Sequence, residues 1–321
     1  MGETDPQPRA FLKSLLCELE KSESDFLSSG DLTRLGVKAF QVGLGVDEAL
    51  QFNPFFFRPH PEKLFEKYPI HPNVDHEWSL REVEYARTLE DFQAGALKDH
   101  SPEAARIEYN KYRGVDQHGN YIRDSMEVLD EFDASSQSWA MWTAMDSLID
   151  VGRQGDWPNA HVWGLSILKE DGREHWFPHL PGYQPVIEGY NQHGAPRWSV
   201  QESWRWMNHP HSTITCLVNA VYVSDTSQGL TVLELETIVT FLIRRTRHRP
   251  FRQCHIHPVL AIFYMGGQMA RIMQASLVQC ELTLQYSPCW SFNKGDDAPY
   301  ELFARYDLSV PVDGAFELPI R

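Results

Sequence analysis

The hydrophobic pattern changes character near residue 152, reading as helices before it and as strands after it. Phe11, Leu12, Leu15, Leu16 and Leu19 recur at the spacing of one helix face, with Lys13, Glu18 and Glu20 filling the other. Ser79 and Glu82 form a capping box ahead of Val83, Leu89 and Phe92, and Ser101-Pro102 sets a cap residue before proline at a first helical position. Two more helices are expected there. Met141, Trp142, Met145, Leu148 and Ile149 make a wide apolar face that stops at Gly152 and predicts a fourth. Residues 51–72 carry five prolines and the run Phe55-Phe56-Phe57, which predicts an ordered loop held by its aromatics.

In the second half, His161 to Leu168, the turn at Lys169 to Gly172 and Arg173 to Phe177 read as a β-hairpin. Thr213 to Val223 is apolar enough for a buried strand. Thr231 with Glu234 makes another capping box, opening a helix that runs to about Arg245. Four runs follow (HIHPVLAIFYM, ARIMQASLV, CELTLQYS and YELFARYDL), broken by Gly266-Gly267, Val278-Gln279 and residues 293–299, and they predict a meander of three or four strands. In the first, Val259, Ala261 and Phe263 alternate with Leu260, Ile262 and Tyr264, so it is apolar on both faces and belongs in the middle of a sheet. The expected class is α+β: a helical region 1–152 packed on a mainly antiparallel sheet with one long helix in 153–321, as two domains or one merged domain.

Charge narrows the function classes. The 29 basic and 44 acidic side chains give a net charge of −15, which argues against binding a nucleic-acid backbone. No apolar run approaches the roughly 20 residues that span a bilayer, and MGETDPQP lacks the basic and apolar parts of a secretory signal. Five cysteines, without a CxxC pair, indicate neither a disulfide framework nor a thiolate zinc site. A cytoplasmic protein is expected, a nuclear one not being excluded, with neither membrane nor nucleic acid as partner.

Three groups of residues carry candidate chemistry. His255 and His257 are alternate residues of an expected strand and would share a face, as acid/base groups or, with His209 or His211, as metal ligands. Residues 258–265 hold no acid, which departs from a cupin-like site, and the expectation is that no metal binds. Arg244, Arg245 and Arg247, followed by Arg249 and Arg252, form a basic cluster that fits either an oxyanion or the carbonyl end of a helix. Trp163, Trp176, Trp204 and Trp206 fit either a pocket wall for a flat small molecule or ordinary core packing. Nucleophile-elbow, P-loop and GxGxxG signatures are absent, so no cofactor is evident.

The segment from His257 to Val312, with HPVLAIFYMGGQMARIMQA, LTLQYSPCWSF and APYELFARYDLSVPV, resembles an uncharacterised filamentous-fungal protein family. The likeness covers about the last sixth of the chain and brings no catalytic residues with it. It implies a fungal, intracellular origin and no established activity; the expected function is an intracellular small-molecule-handling protein or enzyme of fungal specialised metabolism, the alternative being a non-catalytic protein-interaction module. Two remote readings stand behind these. A nuclease-like fold lacks its acid and acid-x-lysine set. A tRNA-dependent cyclodipeptide synthase would show DDxxE, whereas Asp296, Asp297 and Glu301 are spaced one residue too far.

Overall fold

The structure is a computed structural model that describes residues 7–22, 24–69, 173–175, 187–190, 196–206, 210–221, 229–247, 254–292 and 298–312. It also describes 138–139, 141–142, 145–146, 148–149 and 154. The helices expected around 79–92 and after 102, and the residues around the change of pattern near 152 apart from Gln154, lie outside these residues. The labelled helices are α1 (Gln7–Leu19), α2 (Ser29–Arg34), α3 (Leu64–Lys67), α4 (Val232–Arg245) and α5 (Tyr300–Asp307). The strands are β1 (Phe26–Leu27), β2 (Val37–Gln41), β3 (Phe57–Arg58), β4 (Arg173–His175), β5 (Ile187–Tyr190), β6 (Pro196–Trp206) and β7 (Ser212–Val221), then β8 (Leu230–Thr231), β9 (Ile256–Gly266), β10 (Met269–Val278), β11 (Glu281–Tyr286), β12 (Trp290–Ser291) and β13 (Val310–Pro311).

One mixed sheet of nine strands organises these elements, in the order β2-β11-β10-β9-β7-β6-β4, with β12 beside β10 and β5 beside β6. Among the described residues, only β7/β9 and β2/β11 are parallel. The antiparallel majority and the surrounding helices make the described fold α+β, as the pattern predicted. β9 is central and buried on both faces, because Val259, Ala261, Phe263 and Met265 enter one core while Leu260, Ile262 and Tyr264 enter another. The first core is closed by α1 and α4. The second is closed by α5, the segment 50–64 and the helical residues between 138 and 149.

Local signals account for most of these elements. α1 buries Leu12, Leu15 and Leu19, the face its spacing marked out. α4 starts at the expected box: Glu234 accepts from the Thr231 backbone N–H at 2.8 Å while the Thr231 hydroxyl accepts from the Glu234 N–H at 3.1 Å. The β9-β10 turn places Gln268 and Gly267 at positive φ, of 54° and 73°, which suits a two-residue hairpin. The Phe55 loop is ordered as expected, with Phe56 and Phe57 buried. Two glutamines on the second face of the sheet hold its backbone: Gln274 accepts from the Phe56 N–H at 2.9 Å and donates to the Pro54 carbonyl at 2.7 Å, and Gln285 accepts from the Asn53 N–H. Met141, Trp142, Met145, Leu148 and Ile149 are helical and buried, again as predicted.

Two expectations need correction or completion. YELFARYDL is not a strand of the meander: residues 300–307 form α5. Tyr300, Phe303 and Tyr306 recur every three residues and pack into the second core, and a short helix buried nearly all round has the same apolar density as a buried strand. The hairpin segment Arg173–His175 is a strand, but its partner in the structure is β6, with Arg173 opposite Trp206 and His175 opposite Trp204, while residues 161–172 lie outside the described set. The N-terminal region also supplies strands. β2 joins the main sheet, β1 pairs β8, and β3 pairs β13.

A buried ion pair ties helix to sheet. Arg271 of β10 donates from Nη1 to both oxygens of Glu234 at 3.1 Å, with both side chains essentially inaccessible, and its guanidinium lies 5.1 Å from the centre of the Tyr286 ring. Removing one partner strands the other charge in the core, so Arg271→Met or Glu234→Gln alone is expected to cost about 3–5 kcal/mol. The double variant Glu234→Gln/Arg271→Met is expected to cost less than the sum of the two single losses. A urea-denaturation double-mutant cycle measures this, and additive losses would mean that the pair is not coupled.

Candidate functional site

The two faces of the sheet carry different chemistry, and strand parity decides which residue goes where. β9 begins at Ile256, so the alternation does not reach His255, which sits exposed in a bend while His257 is buried. Its parity points His257 toward α4. His211, immediately before β7, is fully buried and makes edge contacts with Phe56 and Phe57 at ring-centre distances of 6.4 and 5.1 Å, which belong to the opposite core. His257 and His211 therefore face away from each other across the sheet. His209 lies outside the described residues, and among the described residues no group of three His, Cys, Asp or Glu side chains is placed to hold a metal ion.

The arginine cluster is also divided. Arg244 and Arg247 are exposed, whereas Arg245 ends α4 with no accessible surface and donates from Nη2 to the His211 carbonyl at 3.2 Å. Its charge reaches His257. Burial first, and then the Arg245 guanidinium, depress the His257 imidazole to about 4. Burial raises the Cys254 thiol, and the same guanidinium pulls it back down. Two residues read separately from the sequence, one as base and one as anion ligand, thus lie within electrostatic reach of each other. Of the tryptophans, Trp204 is buried on β6; Trp163, Trp176 and the Trp206 side chain lie outside the described residues.

On the α5 face the structure assembles a group that the motif search missed. Glu202 lies opposite Thr215 on β6/β7, and the Trp204 indole N–H donates to its Oε2 at 3.4 Å. Asp146, helical like Met145 beside it, is hydrogen-bonded to Glu202, and Asp307 at the end of α5 lies close enough to act on both Asp146 and Tyr264. Burial first, then the Asp307 charge, push the Asp146 carboxyl up to about 6, against the opposing bond to Glu202. Burial and the three carboxylates hold the Tyr264 phenol well above its ordinary range, so it stays a donor. Such a carboxyl pair can donate and accept a proton near neutrality, while the phenolic O–H beside it can donate a hydrogen bond.

A sequence signal for this group existed. Asp146 follows Trp142 by four and precedes Ile149 by three, Asp307 follows Phe303 by four, and Glu202 shares strand parity with Trp204. Each is an acid on an otherwise apolar face. No known family profile, curated protein or solved structure matches this chain. No described helix is long and apolar enough to cross a membrane.

The two perturbed groups give opposite pH dependences. Asp146 binds its proton more tightly folded than unfolded, so its contribution is complete below its unfolded value of 3.8 and is lost as pH rises through about 6. His257 binds its proton less tightly folded, so its contribution is complete above 6.5 and is lost as pH falls through about 4. Between them the slopes oppose, each amounting to at most about 1.4 kcal/mol per pH unit. Denaturation midpoints at several pH values should climb with pH in Asp146→Asn and fall with pH in His257→Leu over this window. Parallel profiles in both variants and the parent would refute the assignment.

Proposed function

We propose that the chain is a small-molecule enzyme that uses acid–base chemistry on the α5 face of the sheet. The observation that carries this reading is the hydrogen-bonded Asp146–Glu202 carboxyl pair, within electrostatic reach of Asp307 and Tyr264. In the proposed reaction the protonated member of the pair gives its proton to a substrate oxygen while the ionised member accepts one from the substrate or a water. Asp307 keeps the shared proton in place near neutral pH by charge repulsion. Tyr264 supplies a hydrogen bond to the substrate, and Trp204 holds Glu202 through its indole N–H. A net charge of −15 favours a small-molecule substrate over a polyanion, and five cysteines outside any disulfide fit a cytoplasmic setting.

A second reading has its own support. Phe40 on the edge strand β2, with Leu44 and Val46 just beyond it, is largely exposed, which suits a protein-interaction surface. Thermal-shift screening against a metabolite panel separates the two. The enzyme reading expects hits whose stabilisation disappears in Asp146→Asn and Glu202→Gln while both variants remain folded by circular dichroism. Silence across a broad panel, or hits indifferent to both substitutions, would move the assignment to the interaction reading.

A further inference from the structure

On the α4 face, the sheet carries polar side chains that its own packing does not use. Ser203 Oγ, Ser212 Oγ and His257 Nδ1 are buried and find no hydrogen-bond partner among the described residues. Register places all three together. Ser203 lies opposite Ile214 and Ser212 opposite Arg205, so the two serines are diagonal neighbours on one face of the β6/β7 pair. Ser212 lies beside Val259 in the parallel β7/β9 pair, two residues from His257 on the same face. Diagonal neighbours of this kind stand roughly 7 to 8 Å apart at the backbone, a gap that a group the size of a tetrahedral or planar anion spans between side chains. The face is that of Ile214, Val259 and the α4 side chains that share their core, and α4 ends over it at Arg245.

We propose that this mouth of β6, β7 and β9 under the C-terminal end of α4 binds a small oxyanion, the phosphate or carboxylate group of a small molecule. The donors fit that chemistry. A guanidinium presents five N–H groups in a planar fork, two serine hydroxyls can each donate one hydrogen bond, and a neutral imidazole can donate from Nδ1. The bond from Arg245 Nη2 to the His211 carbonyl anchors the guanidinium at the start of β7. Its charge already acts on the His257 imidazole and on the Cys254 thiol, which places the positive potential at this spot. The carbonyl end of α4 opposes an anion, and the buried cation with three neutral donors offsets it. Exposed Arg244 and Arg247 at the same helix end, with His255 exposed and Cys254 half-buried at the start of β9, mark the side from which an anion would approach. A buried hydroxyl or imidazole without a partner costs stability, and three on one face beside a buried guanidinium are what a bound anion satisfies together.

The inference is independent of the carboxyl pair on the other face, and the experiment keeps the two apart. Melting temperatures are measured in phosphate-free buffer and then with inorganic phosphate, acetate or chloride at matched ionic strength. At an anion concentration tenfold above its dissociation constant, a rise of about 2–4 °C is expected. Phosphate alone active indicates a phosphorylated ligand, and acetate active indicates a carboxylate. The Ser203→Ala/Ser212→Ala variant should lose the rise while its anion-free melting temperature stays level or increases, because it removes two unsatisfied hydroxyls. Arg245→Lys, which keeps the charge and loses the fork, should weaken the response at least tenfold, and if it does not fold, the serine variant decides. Asp146→Asn should leave the anion response intact even where the acid–base reading fails. An equal response to chloride, no response to either oxyanion, or a serine variant that is destabilised and still responds would each overturn the proposal.

Discussion

The contact between Glu234 and Arg271 fixes the position of α4, and much of the described structure follows from where that helix lies. Glu234 does two jobs with one carboxylate: it closes the capping box that starts α4 and it accepts both bonds from Arg271 near the start of β10. A charge in a core must be paired, and this one is satisfied only when the first turn of the helix sits over one residue of one strand. The register of β9 against β10 then sets what lies beneath the rest of the helix. A second, partly exposed pair between Arg197 and Glu236 at 3.1 Å holds the same helix to β6. With its start pinned, α4 delivers Arg245 to the beginnings of β7 and β9 about 20 Å away, at 1.5 Å per residue over 14 residues.

The sheet separates two polar sites that would interfere if they shared a face. Positive charge from Arg245 lies on the α4 side, and the three carboxylates lie on the α5 side, with the apolar rows of β7 and β9 between them. Burial and then carboxylates raise Tyr264, whereas burial and then a guanidinium lower His257, although both belong to β9, seven residues apart. An odd spacing on one strand is what sends them to opposite sides. The glutamines on the α5 side have a different task. Gln274 and Gln285 replace the hydrogen bonds that the Asn53 to Phe56 backbone lacks, and so allow a loop without regular pairing to cover the sheet.

The sequence by itself determined the elements whose signals are local. Leu12, Leu15 and Leu19 on one helix face, the Thr231–Glu234 box, the doubly apolar β9 and the turns on either side of β10 need only neighbouring residues to be read. Tertiary structure decided the rest, for three physical reasons. The run at 300–307 is buried almost all round, and burial of that kind erases the periodicity that separates a helix from a strand. His255 and His257 obey strand parity only as far as the strand extends, and β9 starts between them. Asp146, Glu202 and Asp307 each read as an acid on an apolar face, but their meeting depends on the packing of two helical segments against one strand, separations of 56 and 105 residues that no local pattern encodes.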